Sequence, residues 1–414
     1  MGHSDFAAES IAVVALNNAS VAGTWQFDLN DGAGFRDFPT VSDSNALLLL
    51  PDHKVRFDKD NAGDTGSPTL TFRAWDQTTG TAGTRVNIGN ANSGVITFNG
   101  VIYKTDGAFN VTTGGGSDTS DKEIVFSGAN PFISTSSDQV TLNGGEVDIA
   151  NGTLTINTNR NNGANTGGNI TIAKTVYGNS DESLVLDAHS AGSGTISLGP
   201  VGIASGTTAT SEIAGLTATA HGGITLNGNI KLSHAPTSTG ITFNSPVIIG
   251  DDTSVTIITD SGGTDGIVNF ASSISGVGGT DATNATSENL TIDSGRGNVS
   301  IATVGVSANT ALNNLTINSG TGAGDSAVDM DGDITISGNI GASSGGSVTV
   351  EGVTGTLTLG NAETATLTLG GTVYNTNTAT YTSASGGNNT KLTGQSPVFT
   401  ASDAAIAFAG GNVL

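Results

Sequence analysis

The sequence predicts an all-β protein: a small antiparallel β-sandwich over residues 1–92, followed by a parallel β-helix (β-solenoid) over residues 93–414. Three observations lead there. Glycine supplies 61 of 414 residues, while charged residues make up only 12%, a balance that disfavours helical globules. A phrase alternating aliphatic and hydroxyl residues recurs through the later part of the chain. Aromatic and arginine residues, by contrast, crowd the first 90 positions.

The first region holds both tryptophans, Trp25 and Trp75, and the arginines Arg36, Arg56, Arg73 and Arg85. The run Gly23-Thr24-Trp25-Gln26-Phe27 alternates and meets Asp31-Gly32, a turn signal. Val55-Arg56-Phe57 and Leu70-Thr71-Phe72-Arg73-Ala74-Trp75 keep the same period of two. Short alternating strands joined by polar turns indicate a sandwich, and core packing is the expected use of the two tryptophans.

The second region is a repeat array. One triplet type recurs as Leu154-Thr155-Ile156, Leu184-Val185-Leu186, Leu216-Thr217-Ala218, Val255-Thr256-Ile257, Leu290-Thr291-Ile292, Leu315-Thr316-Ile317 and Val348-Thr349-Val350. Successive starts are separated by roughly 25–39 residues, the range of a loose repeat. Glycine-led phrases fall between them: Gly168–Ile172, Gly194–Leu198, Gly223–Leu226, Gly240–Phe243, Gly297–Ile301 and Gly332–Ile336. A mean period of about 32 residues fits one coil of two or three short strands. Coils stacked about 4.8 Å apart would turn the inward aliphatics into ladders that no single coil can bury. With 14 Phe, four Tyr and two Trp, large side chains suffice for such a narrow core and not for a deep spherical one.

The string Gly23–Phe27, with Asp31-Gly32, Phe35, Phe38, Ala46–Leu49, Val55–Phe57 and above all Thr71-Phe72-Arg73-Ala74-Trp75-Asp76-Gln77-Thr78, resembles the cadherin-like, immunoglobulin-like modules of giant bacterial cell-surface adhesins. Such modules have a strand before the Trp-containing one. Only Ile11–Leu16 is available for it, which implies an incomplete sandwich. The later region, with phrases such as Gly223-Ile224-Thr225-Leu226-Asn227-Gly228-Asn229-Ile230, is similar to the filamentous-haemagglutinin-like β-helix of large bacterial adhesins. Together the resemblances imply an exported bacterial cell-surface protein, a right-handed helix, and adhesion to host or neighbouring cells, glycans or other surfaces.

Composition also bounds the partners. A net charge of −23 disfavours nucleic acid, whose affinity rests on neutralised phosphates. Apolar runs such as Ile11–Leu16 and Ala46–Leu50 are far short of the roughly 20 residues of a membrane helix. Absence of cysteine excludes disulfides and thiolate metal sites. The first ten residues lack a basic cluster, so an export signal would lie outside this sequence, and a fragment of a longer chain is the expectation.

No catalytic site is expected. The histidines His3, His53, His189, His221 and His234 lack a Gly-x-Ser-x-Gly context; His189 and His221, one mean period apart, are candidates for neighbours on adjacent coils. A polysaccharide-processing β-helix enzyme needs clustered carboxylates and cations for acidic sugars. Only Lys104, Lys122, Lys174, Lys231, Lys391, Arg160 and Arg296 are available beyond residue 93. Asp251-Asp252 and Asp260 with Asp265 read as turn formers.

Calcium is the candidate ligand, since hard cations take several carboxylate and carbonyl oxygens. Three clusters qualify: Asp28, Asn30 and Asp31; Asp58, Asp60 and Asp64; and Asp329, Asp331 and Asp333. The last imitates an EF-hand start but carries Ile340 at the twelfth position, so a cation bridge or a solvated acidic strip are its two readings. Thr-x-Thr phrases such as Thr153–Thr155, Thr217–Thr219 and Thr366–Thr368 suggest a flat hydroxyl array, although coil spacing is too irregular for an ice lattice. The alternative to an adhesin is a self-assembling subunit of a fibre or surface layer, with Val398–Leu414 as donor or cap.

Overall fold

The computed structural model describes residues 10–414 except 20, 62–65, 76, 78–79, 89–94, 114–122, 160–166, 180, 190–191, 203–211, 233–239, 260–265, 278–287, 295–296, 306–310, 318–333, 341, 344–348, 351–352, 360–365, 372, 384–388 and 402–405. Among the described residues there is no helix, hence none long and apolar enough to cross a membrane. The protein is all-β.

Strands β1 (Ile11–Asn17), β2 (Gly23–Asp28), β3 (Arg36–Asp37), β4 (Ala46–Leu49), β5 (Lys54–Lys59), β6 (Thr69–Ala74) and β7 (Arg85–Val86) form two antiparallel sheets, ordered β6-β1-β4-β7 and β3-β2-β5. Alternation sends Val13, Leu47 and Leu49 of the first sheet and Phe27 of the second into one shared core, with Val55, Leu70 and Phe72 at its margin. The other face of the first sheet is also covered, because Ala12, Val14, Ala46 and Leu48 pack under Trp75, Val86 and Ile88. A strand buried on both faces has no use for alternation, which accounts for the unbroken Ala46-Leu47-Leu48-Leu49. Trp25 meets Phe57 edge-on at 5.3 Å, so both tryptophans serve packing. The strand expected to be lacking is β1, which occupies the middle of its sheet between β4 and β6.

From residue 95 onward the chain passes repeatedly through three columns of short parallel strands. The first pass runs through Ile96–Phe98, Ile102–Lys104 and Phe109–Thr112, and the second through Glu123–Phe126, Phe132–Ser134 and Val140–Asn143. Each strand pairs in parallel with its counterpart in the next pass: Ile124 with Ile96, Phe132 with Ile102, Val140 with Phe109. The order first, second, third column then repeats to the last pass, where Ile406–Gly410 pairs with Ala379–Ser383, and Asn412–Val413 with Asn389–Thr390. Parallel pairing assembles sheets of 18, eight and four strands. The passes differ in length: successive second-column strands start closest together at Phe132 and Thr153, and furthest apart at Val299 and Ile334.

Within each strand the aliphatic residues point inward and the hydroxyl residues outward. Leu154, Leu184, Leu216, Ile241, Val268, Val299, Ile334 and Leu367 form one such second-column ladder, each essentially inaccessible. These ladders belong to a single hydrophobic cluster that runs from Ile96 to Tyr381. Burying each Leu or Ile contributes roughly 1.5–3 kcal/mol, and no pass could achieve that burial alone. Aromatic rings close both extremities. Phe98, Tyr103, Phe109 and Phe126 gather at the first passes, where Ala74 of β6 also packs. Tyr374 stacks on Phe399 at 4.6 Å and Tyr381 on Phe408 at 4.9 Å at the last.

The recurring triplets do not all share a column. Leu154, Leu184 and Leu216 open second-column triplets, whereas Val255, Leu290 and Leu315 belong to the first column. The glycine-led phrases change similarly, from the third column (Ile170, Ile196, Ile224) to the second (Ile241, Val299, Ile334). The widest expected spacing, from Leu216 to Val255, is this change of column. Thr349-Val350 pairs antiparallel with Ala342-Ser343 outside the ladders, and Leu357-Thr358-Leu359 takes the next place after Leu315.

Candidate functional site

The acidic clusters at the N-terminal sheets are largely engaged by their own turns. Asp28 ends β2, and its Oδ1 accepts the Asn30 N–H at 2.8 Å while Asn30 sits at φ 56°. This is an Asx turn, for which Asp and Asn are the usual choice. Asp31 Oδ1 accepts the Ala33 N–H at 3.0 Å, and Oδ2 accepts Arg36 Nη2 at 2.5 Å. The Arg36 hydrogen bond, helped by that N–H, holds the Asp31 carboxyl below the usual carboxylate range. Asp58 lies opposite Thr24 on β5, with Arg56 Nη2 at 3.7 Å. Asp60 is exposed, and its N–H donates to Ala22 O.

Because β2 and β5 are antiparallel, Asp28 faces Lys54 while Asp58 faces Thr24. Four residues of strand, about 13 Å, therefore separate the two clusters, and one cation cannot bridge them. Asp64, Asp329, Asp331 and Asp333 lie outside the described residues. Among the described residues no three His, Asp or Glu side chains converge as a cation would need.

The histidine spacing does correspond to one pass: the His221 N–H donates to His189 O at 2.8 Å. Asp251 and Asp252 are exposed turn residues, Asp252 at φ 52°. Asp260, Asp265 and His234 lie outside the described residues.

The column register brings two features together, of which the sequence suggested the first only as a hydroxyl array of Thr-x-Thr phrases and missed the second. The first is an outward threonine line in the first column, where Thr256, Thr291, Thr316, Thr358 and Thr380 are successive partners. Asn289 Nδ2 donates to Ser254 Oγ beside it, and Asn314 Nδ2 donates to Asn289 Oδ1 at 2.7 Å. These parallel pairs make a flat polar face.

The second is a nest of carboxyls on the same column, earlier along the stack. Glu123 pairs with Glu146, Val125 with Asp148, and Asp148 with Tyr177. The Tyr177 hydroxyl comes under the influence of the Glu123 carboxylate across the intervening strand. Glu182, buried, accepts the N–H groups of Asn179 at 2.6 Å and Asp181 at 3.2 Å. Asp148 Oδ1 is buried without a hydrogen-bond partner. Burial, followed by the charges of Glu123 and Glu182, pushes the Asp148 carboxyl up to about 6. Burial first, and then Glu123, raises the Tyr177 phenol. The available signal was Glu146-Val147-Asp148, two acids on one face of a strand, with Glu123 one pass before it.

Compared with known protein families, with curated proteins and with solved structures, the chain shows no match.

Proposed function

We propose that the chain is a non-enzymatic, extracellular surface protein that acts as an adhesin or as a stalk, with residues 95–414 coiled as a right-handed parallel β-helix. The observation that supports this most is the in-register aliphatic core. First-column positions recur from Ile96 to Ile406 through twelve passes, which at about 4.8 Å per step makes a rod on the order of 50 Å long. A rod faced with short hydroxyl and amide side chains offers reach and flat polar surface. It suits attachment to a cell surface or to glycans better than enclosure of a substrate. Calcium would take the two N-terminal turns separately, Asp28 with Asn30 at one and Asp58 with Asp60 at the other, and would stiffen the junction with a neighbouring module. Asp31 would first have to give up Arg36.

One observation favours the alternative of a self-assembling subunit. At the last turns Val398, Phe408, Val413 and Leu414 are exposed by 58%, 38%, 47% and 65%, and at the first pass Val101 and Ile102 by 46% and 60%. An uncovered strand edge with apolar side chains invites pairing. Light scattering coupled to size exclusion, with and without millimolar calcium, separates the readings. An elongated monomer of 40.9 kDa that binds cells or immobilised glycans supports the adhesin. Concentration-dependent oligomers without binding replace it with the assembly reading, and turnover of a polysaccharide defeats both.

A further inference from the structure

The carboxyl nest on the first column stands apart from the adhesive reading. Its groups come from four segments packed side by side: Glu123 of Glu123–Phe126, Glu146 and Asp148 of Glu146–Ile149, Tyr177 of Val176–Tyr177, and Glu182 at the end of the connection that follows. All the titratable groups that act on Asp148 and Tyr177 are acidic or phenolic. Val176–Tyr177 is the shortest of these strands, with only two paired residues. Tyr177 is the register partner of Asp148, whose Oδ1 is buried without a hydrogen-bond partner, and its hydroxyl is influenced by Glu123 beyond.

We propose that this nest is a proton-operated clasp: with Asp148 protonated, Tyr177 lies over it and fastens Val176–Tyr177 to the passes beneath, and loss of the Asp148 proton loosens that strand. The physical reason is local. An ionised Asp148 would leave one buried oxygen without a donor, facing Glu123 and Glu182 of like charge. Lifting Tyr177 lets water reach that oxygen. Opening exposes Asp148 to solvent, where it ionises near 4, whereas in the closed nest it ionises at about 6. The opening equilibrium therefore rises between pH 4 and pH 6 and levels off above. A shift of this size allows a rise on the order of a hundredfold, reduced to about tenfold because Asp148 is only partly buried and solvent screens it.

The test is hydrogen–deuterium exchange of the intact chain at pH 4 and pH 6.5, corrected for intrinsic exchange rates, followed in peptides covering residues 174–187. A peptide from residues 289–293, remote from the nest, is the control. Protection of 174–187 should fall about tenfold between the two pH values while the control stays level. Asp148→Asn should abolish that difference, and Tyr177→Phe should lower protection already at pH 4. Equal protection at both pH values overturns the clasp, and so does an unchanged pH response in Asp148→Asn. Should Asp148→Asn lose protection in the control as well, carbon NMR of the wild-type Asp148 carboxyl decides: a midpoint near 6 upholds the clasp and one near 4 removes it.

Discussion

Ile257 sits in the first column between Ile230 of the pass before and Ile292 of the pass after, all three fully buried. Ile257→Ala removes three carbons from that ladder. At roughly 0.8 kcal/mol per buried carbon the transfer loss is about 2.4 kcal/mol. A residual cavity between two rigid neighbours brings the cost to about 3–4 kcal/mol. Thr256→Ala, on the same strand but facing outward, should stay within about 0.5 kcal/mol. The sharper test is coupling. Ile230→Ala and Ile257→Ala open one shared void, so their combined cost should depart from additivity by about 1 kcal/mol. Leu216 belongs to the second column two passes earlier, where it pairs with Leu184 and Ile241. At a rise of about 9.6 Å from Ile257, Leu216→Ala should add independently, within about 0.5 kcal/mol. Urea unfolding followed by far-ultraviolet circular dichroism measures all of these. Coupling of Ile257 to Leu216, or strict additivity with Ile230, would refute the column register and restore the simple triplet repeat.

Two glycines with left-handed backbones separate strain from crowding. At Gly240, φ is +73° and a Cβ would meet the Ile267 carbonyl of the next pass, whereas at Gly223, φ is +99° and the nearest atom, Pro246 O, is 3.5 Å away. Gly223→Ala should cost about 1 kcal/mol for its backbone angle alone, and Gly240→Ala about 2–4 kcal/mol once the stack must part, both read from urea midpoints. The Asp148 carboxyl also marks global stability. Its folded pKa is raised, so the folded state holds the proton longer than the unfolded state, and stability falls as pH rises from about 4 to about 6. Asp148→Asn should therefore match the wild type at pH 4 and exceed it by about 1 kcal/mol at pH 7, a figure discounted for solvent screening.

Much of the all-β architecture was readable from the residues because alternation with period two is a local property. The Leu154-Thr155-Ile156 and Leu290-Thr291-Ile292 triplets alternate as expected, with Leu and Ile buried and Thr partly exposed. Column membership was not readable, because it depends on which strands stack, and stacking is a long-range relation among nearly interchangeable phrases. The same limit hid the nest. Glu123, Asp148 and Tyr177 are widely separated in sequence, and only the pairing of successive passes brings them together. For the Asp clusters, composition found the acids but not their engagement. Asp28 and Asp31 are spent on N–H groups and on Arg36, contacts that the sequence spells only as a turn.

The change of column has a single origin in connection length, and it bears on where a partner would bind. In the passes at 146–172 and 176–198 the long connections, 158–169 and 188–195, join the second column to the third. From the next pass onward the second-to-third turns are short; the longer connections join the first column to the second at 202–214, 232–239, 259–267, 318–333 and 360–365, and the third to the first at 277–288, 305–313 and 341–352. An aliphatic triplet followed by a connection and a glycine-led strand is thus the signature of a corner, and that corner moved. Ladder strands are constrained by neighbours on both sides, so length variation concentrates where the chain leaves the stack. Variable connections therefore both enter and leave the first column, which carries the threonine line. On the adhesive reading, that column is where recognition would be written, with the ladder core setting only its spacing.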